Sequence, residues 1–277
     1  MCRIKAERLL TATWLIGQCP NRQVTAWRGI GHVPLVITPS PFSAVVFGAS
    51  GAIGRALTER LIASDEFGAV HAGVRSAAAV PPGATRFAFD LADEASIAVA
   101  AAALDAPPAL VIVATGLLHD PARDIAPEKS WRGLDPAAMA EAYAANAIGP
   151  ALIAKHFLPL MPRNTRAVFA VLSAKVGSIG DNRLGGWHSY RASKAALNML
   201  VRNFAIELAR SHPQAVAAAL HPGTVDSALS APFQRGLPPG KLFSPDQAAG
   251  QLLAVIADLT PADSGGLFAW DGTRIPY

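Results

Sequence analysis

The sequence predicts an α/β protein: one doubly wound domain on a parallel sheet of about seven strands. Three observations carry this. From Ser43 onward, short apolar runs alternate with Ala-rich stretches of helical length. The apolar runs are continuous, with no polar residue at every second position. Both of their faces are therefore buried, as in parallel strands covered by helices. A Gly-rich turn directly follows the first apolar run and opens the first helical stretch.

The elements follow in order. Ala44–Phe47 reads as a strand, 53–63 as a helix, Ala69–Val74 as the second strand and 86–89 as the third. A helix over 95–104 precedes a fourth strand at 110–114. One long helix is predicted over 136–158, with Asp135 as its N-cap and Pro136 at its first position, where a missing N–H costs nothing. Ala167–Leu172 is the fifth strand, 189–210 a second long helix and 216–220 the sixth strand. A helix over 247–259 and a last strand over 266–270 complete the pattern.

Residues 1–40 read differently. They lack capped elements, end in a Pro-punctuated stretch, and hold five basic groups against the single acid Glu7. They are read as an N-terminal leader outside the fold, with residues 41–277 as the domain. Of the 24 basic and 20 acidic groups in the chain, residues 41–277 then keep 19 of each, so the body is neutral and lacks the basic stripe of a nucleic-acid binder. The apolar runs fall short of the roughly 18 residues a membrane helix needs. The two cysteines, Cys2 and Cys19, form neither a disulfide framework nor a metal site. The expectation is a cytoplasmic protein with no nucleic-acid or membrane partner and no metal.

The first turn reads Phe47-Gly48-Ala49-Ser50-Gly51-Ala52-Ile53-Gly54. Glycines there let the backbone turn tightly and approach a pyrophosphate, which sits on the amides at the helix N-terminus. Taken alone, a Gly-rich turn is a weak signal; between a first strand and a first helix it points to a dinucleotide. The second strand ends without the acid that grips an NAD ribose, and Arg75 follows it. NADP is therefore the preferred cofactor and NAD the second, the plainer reading of Arg75 being a solvated loop charge. Asp90 is read either as an acceptor for the adenine amine or as a cap on the next helix.

Ser189-Tyr190-Arg191-Ala192-Ser193-Lys194 carries the strongest signal. Tyr190 and Lys194 are four apart and share a helix face. A nearby lysine cation favours the phenolate and is expected to bring the tyrosine pKa, ordinarily about 10, towards the working range. Of the three tyrosines, Tyr190 alone has a lysine four residues on.

On these residues, residues 43–277 resemble the short-chain dehydrogenases/reductases, a family of Rossmann-type domains. The run Ser173 to Asn182 and the run Tyr190 to Asn198 are similar to its C-factor-like branch. The resemblance implies a catalytic set of Asn146, Ser173, Tyr190 and Lys194, with Asn146 holding a relay water. It implies a cofactor cradle of Gly48, Ser50, Gly51, Ile53, Gly54, Arg75, Asp90, Leu91, Ala114, Gly116, Tyr190, Lys194, Pro222, Gly223 and Val225. It also implies a homodimer or homotetramer packed through the two long helices.

Three departures stand against the family pattern. The middle glycine is Gly51, where the family places it at the position of Ala52. The asparagines after the fourth strand are replaced, leaving Val113-Ala114-Thr115-Gly116. The usual serine pair is Ser173-Ala174, which makes Ser173 the first choice and Ser178 the reserve.

His188 and His221 lie near the expected cleft, and a lone histidine is more often a packed or surface residue than a ligand. Trp187, Phe233 and Trp270 are pocket candidates, and 227–243 has the composition of a lid loop. The resulting expectation is NADP(H)-dependent interconversion of a carbonyl and an alcohol. A nucleotide-binding sensor or scaffold is the alternative from another class. A sugar-nucleotide epimerase or dehydratase fits less well, because only about 55 residues follow the sixth strand.

Overall fold

The computed structural model describes residues 40–75 and 77–277. The expected leader therefore lies outside the described residues, apart from Ser40.

The strands are β1 (Ser43–Phe47), β2 (Ala69–Val74), β3 (Thr85–Ala88), β4 (Pro108–Val113), β5 (Ala167–Leu172), β6 (Ala215–His221), β7 (Thr224–Val225), β8 (Leu242–Phe243), β9 (Leu267–Ala269) and β10 (Arg274–Ile275). The α-helices are α1 (Ala52–Ser64), α2 (Glu94–Ala102), α3 (Pro136–Tyr143), α4 (Gly149–Phe157), α5 (His188–Ser211) and α6 (Pro245–Asp258). Eight strands form one sheet in the order β10-β9-β6-β5-β4-β1-β2-β3, and β7 pairs with β8 alone. The seven expected strands pair in parallel. The eighth, β10, is a two-residue strand antiparallel to β9, too short to leave a pattern in the sequence.

Strand side chains alternate between two apolar layers. One face carries Val45, Phe47, Val111 and Phe169 against Ile97, Ile153, Phe157 and Leu197 of α2, α4 and α5. The other carries Val46, Ile112 and Ala170 against Leu57, Leu61, Leu252 and Ile256 of α1 and α6. Burial on both faces explains the unbroken apolar runs. β3, at the sheet edge, is mostly exposed.

The predicted long helix starts as expected: Asp135 Oδ1 accepts from Ala138 N at 2.8 Å, with Pro136 in the first turn. It does not continue as one α-helix. Residues 144–148 form a π-helical segment between α3 and α4, where Gly149 N donates to Ala144 O, five residues back. Pro150 has no N–H for the Asn146 carbonyl four residues earlier, so the regular ladder fails there.

Sheet order reverses between β1 and β4. Open α/β sheets bind ligands outside the carboxyl ends of the strands at such a switch. Gly48 follows β1 at this point with φ +83°, and a Cβ there would lie 3.2 Å from the Ala114 carbonyl carbon. The two loops touch because residue 48 lacks a side chain.

Candidate active site

A cavity of about 640 Å³ opens at the switch point. Its wall includes Gly48, Ser50, Gly51 and Ile53 of the first turn, with Arg75, Asp90, Leu91, Ala114, Gly116 and Pro222. Ser173, Tyr190 and Lys194 line the same cavity. Three expected cofactor residues are not on this wall. Gly54 is buried in the first turn of α1. Gly223 abuts Phe243. Val225 packs with Phe243 and Ala248, because the short β7–β8 pair turns it inward.

The Gly51 departure preserves the turn, since Gly51 N donates to Gly48 O at 3.0 Å. Asp90 lines the cavity and its carboxylate accepts from Ala92 N at 2.9 Å. The helix-cap reading of Asp90 is corrected: Asp93 caps α2, accepting from Ala95 N at 3.1 Å.

Asn146 is fully buried, and its side chain is committed to protein. Its Oδ1 accepts from Leu117 N at 2.8 Å, and its Nδ2 donates to Leu117 O at 2.8 Å and to Ser193 Oγ at 3.0 Å. It clamps the loop after β4, where the family asparagines are missing. The neighbouring Thr115 Oγ1 is buried without a hydrogen-bond partner among the described residues and belongs to a residue on the cavity wall.

The two serines part company. Ser173 is on the wall and donates its hydroxyl to Asn198 Oδ1 at 2.7 Å. Ser178 Oγ donates to the Pro276 carbonyl and accepts from Asp181 N at 3.1 Å, tied to the C-terminal segment.

The expected tuning of Tyr190 by Lys194 is also corrected. Burial pushes the Tyr190 phenol up to about 12, and burial pushes the Lys194 ammonium down to about 7. Lys194 Nζ donates to the Leu172 carbonyl at 2.8 Å and lies 5.9 Å from the Tyr190 ring centroid. Desolvation, which opposes both charged forms, outweighs the pairing that helix spacing suggested.

Several wall residues left no sequence signal of their own, among them Thr115, Leu117, His119, Asp120, Arg123 and Glu141. Arg123 joins Asp120 at 2.7 Å and Glu141 at 2.8 Å. Ser227, Ala228 and Leu229 are the part of the suspected lid loop that reaches the wall. His119 Nε2 is 3.1 Å from the Ala228 carbonyl, and Phe233 packs on Trp187 at 5.0 Å between centroids. Trp187 in turn meets the Tyr190 ring at 6.3 Å. Trp270 packs on Phe243 instead, and His221, off the cavity wall, is pushed by burial down to about 4. Among the described residues there is no group of three or more His, Cys, Asp or Glu placed to hold a metal, and no helix is long and apolar enough to cross a membrane.

The sheet, its switch-point cavity and the Gly-rich turn define a dinucleotide-binding class of α/β protein. Residues 43–237 match the family model for short chain dehydrogenases, and the chain belongs to that family. The family match supports nicotinamide-dependent oxidoreduction. The chain is 36% identical to the C-signal of Myxococcus xanthus over 145 residues, 52% of this chain and 81% of that protein. It is 38% identical to the 1-hydroxy-2-glutathionyl-2-methyl-3-butene dehydrogenase of Rhodococcus sp. over 134 residues, 48% of this chain and just over half, 55%, of that enzyme. Among solved structures, NADPH-bound carbonyl reductase from chicken fatty liver superposes with a TM-score of 0.72 at 27% identity, covering 85% of this chain and 94% of that one.

Proposed function

We propose that this protein interconverts a small-molecule carbonyl and an alcohol with NADP(H), NAD being the weaker cofactor. One observation carries the reading: Tyr190, Lys194 and Ser173, from α5 and the end of β5, line the same cavity as the Gly48–Ile53 turn. The residues suit the cofactor. The tight turn at Gly48 and the amides opening α1 match a pyrophosphate, and Thr115 on the same wall carries a buried hydroxyl with no hydrogen-bond partner among the described residues.

When bound, the nicotinamide supplies or accepts hydride. The remaining work belongs to the chain. Tyr190, whose phenol is protonated at neutral pH, gives the proton to the carbonyl oxygen. Lys194 has donors left beyond Leu172 for the ribose hydroxyls. Ser173 donates to the carbonyl oxygen. The backbone carbonyl of Asn146, denied its helical donor by Pro150, is the anchor for a relay water. Arg75 takes the 2′-phosphate, and the Asp90 carboxylate is assigned the adenine amine.

A homodimer or homotetramer fits the exposed Ile148, Met199 and Ile206 of the long helical elements. The likeness to a protein named C-signal favours a second reading, a nucleotide-binding signal without turnover. NADPH consumption with benzaldehyde, acetophenone, cyclohexanone and butanone separates the two. Turnover is expected, and Tyr190→Phe is expected to lower it roughly 10²–10⁴-fold while NADPH binding persists. No turnover with any of the four, or native turnover in Tyr190→Phe, overturns the proposal.

A further inference from the structure

Asn198 sits one turn beyond Lys194, so Tyr190, Lys194 and Asn198 form a stripe at four-residue spacing along α5. It is 2% exposed, and Ser173 is 4% exposed. Two contacts fix its amide. Asn198 Oδ1 accepts the Ser173 hydroxyl at 2.7 Å, and Asn198 Nδ2 donates to the Gly177 carbonyl at 3.4 Å. The loop carrying Gly177 is pressed onto the helix: a Cβ at residue 177 would lie 2.8 Å from Lys194 Cβ, so only glycine brings that carbonyl within reach.

The orientation follows from donor counting. A carbonyl only accepts, so the amide turns its NH₂ to Gly177; reversing it would set two acceptor oxygens face to face. Oδ1 is then the atom facing Ser173, and it too only accepts. The one hydroxyl proton of Ser173 is therefore held by Asn198, and the oxygen meets the cavity with its lone pairs.

We propose that Asn198 is the positioning residue of Ser173. It fixes the serine oxygen at the cavity wall and holds its proton until a stronger acceptor forms. This rests on the carbonyl–alcohol reading above. A neutral carbonyl oxygen competes poorly with the amide, whereas the charge developing as the carbonyl is reduced draws a stronger hydrogen bond. A rotation about the Cβ–Oγ bond then moves the hydrogen bond from Asn198 to that oxygen, and the reverse rotation returns it. The serine oxygen is thereby already in place when that charge develops, which spares the reorientation a free side chain would need.

The test is a double-mutant cycle on the full chain, with NADPH and the fastest of the four carbonyl compounds. Asn198→Leu, close in volume, is expected to lower kcat about tenfold without raising KM for the carbonyl. NADPH binding, followed by fluorescence, is expected to stay native. On the Ser173→Ala background the same change is expected to have no further effect on kcat, since the hydroxyl it acts on is gone. If Asn198→Leu does not fold, Asn198→Ala carries the same comparison. An undiminished loss on the Ser173→Ala background, or no loss on the native one, overturns the positioning role and leaves the reaction standing. Native turnover in Tyr190→Phe overturns the reaction, and this inference with it.

Discussion

Burial drives the two titrating side chains of the site in opposite directions, and both shifts are measurable. The Lys194 ammonium is pushed down to about 7 from 10.5. Between those values the unfolded chain binds a proton that the folded, ligand-free chain lacks. Stability therefore rises with pH through that window, and the penalty is full below it. Lys194→Met is expected to raise Tm near pH 7 and to flatten its pH dependence up to about pH 10, as thermal melts in a buffer series would read. An unchanged slope would remove Lys194 as its source. Arg75 is exposed at the cavity edge, where the proposed reading puts the 2′-phosphate. Arg75→Ala is expected to weaken NADPH roughly tenfold and to leave NADH unchanged, because a charge-assisted phosphate contact is lost. Titration of both cofactors into native and variant protein checks this, and equal native affinities for the two would contradict it.

At the scale of elements, α5 depends on help from a distant loop. Its N-cap residue, Trp187, has φ +52° and supplies no side-chain cap. Glu128 does so instead: its carboxylate accepts from Ser189 N at 3.2 and 3.3 Å and from the Ser189 hydroxyl. An acid at a helix N-terminus also complements the helix dipole. The long helix that carries Tyr190, Lys194 and Asn198 is thereby fastened to the segment before α3. Glu128→Ala leaves a buried amide and hydroxyl unpaired and is expected to cost about 1–3 kcal/mol in urea unfolding. A change within about 0.5 kcal/mol would show that water replaces the cap. The π-helical segment is the other irregularity, and Asn146 lies within it, four residues before Pro150, which has no N–H for its carbonyl.

For the molecule as a whole, the sheet lies between Ser43 and Ile275, and both of its faces are covered by residues of that stretch. We therefore propose that residues 1–39 add nothing to the fold. Deleting them is expected to leave Tm and NADPH binding at native values, and differential scanning fluorimetry of the shortened chain checks it. A fall in Tm of more than about 4 °C, on the order of 1 kcal/mol or more at this size, would show that they contribute.

The sequence by itself determined the alternation of strand and helix, the burial of both sheet faces, the cap at Asp135, the Gly-rich turn and the spacing of Tyr190 and Lys194. Each is a local pattern, and local patterns are set by helix and strand periods and by backbone chemistry within a few residues. Only the tertiary structure decided the rest, because those contacts join residues far apart in the chain. Ser173 and Ser178 are equivalent as turn hydroxyls, and one meets Asn198, 25 residues on, while the other meets Pro276, 98 residues on. Glu128 reaches Ser189 across 61 residues. The sign of the Tyr190 shift belongs here too. Spacing on a helix predicts which charges are neighbours, whereas desolvation depends on everything packed around them, and around Tyr190 and Lys194 it is the larger effect.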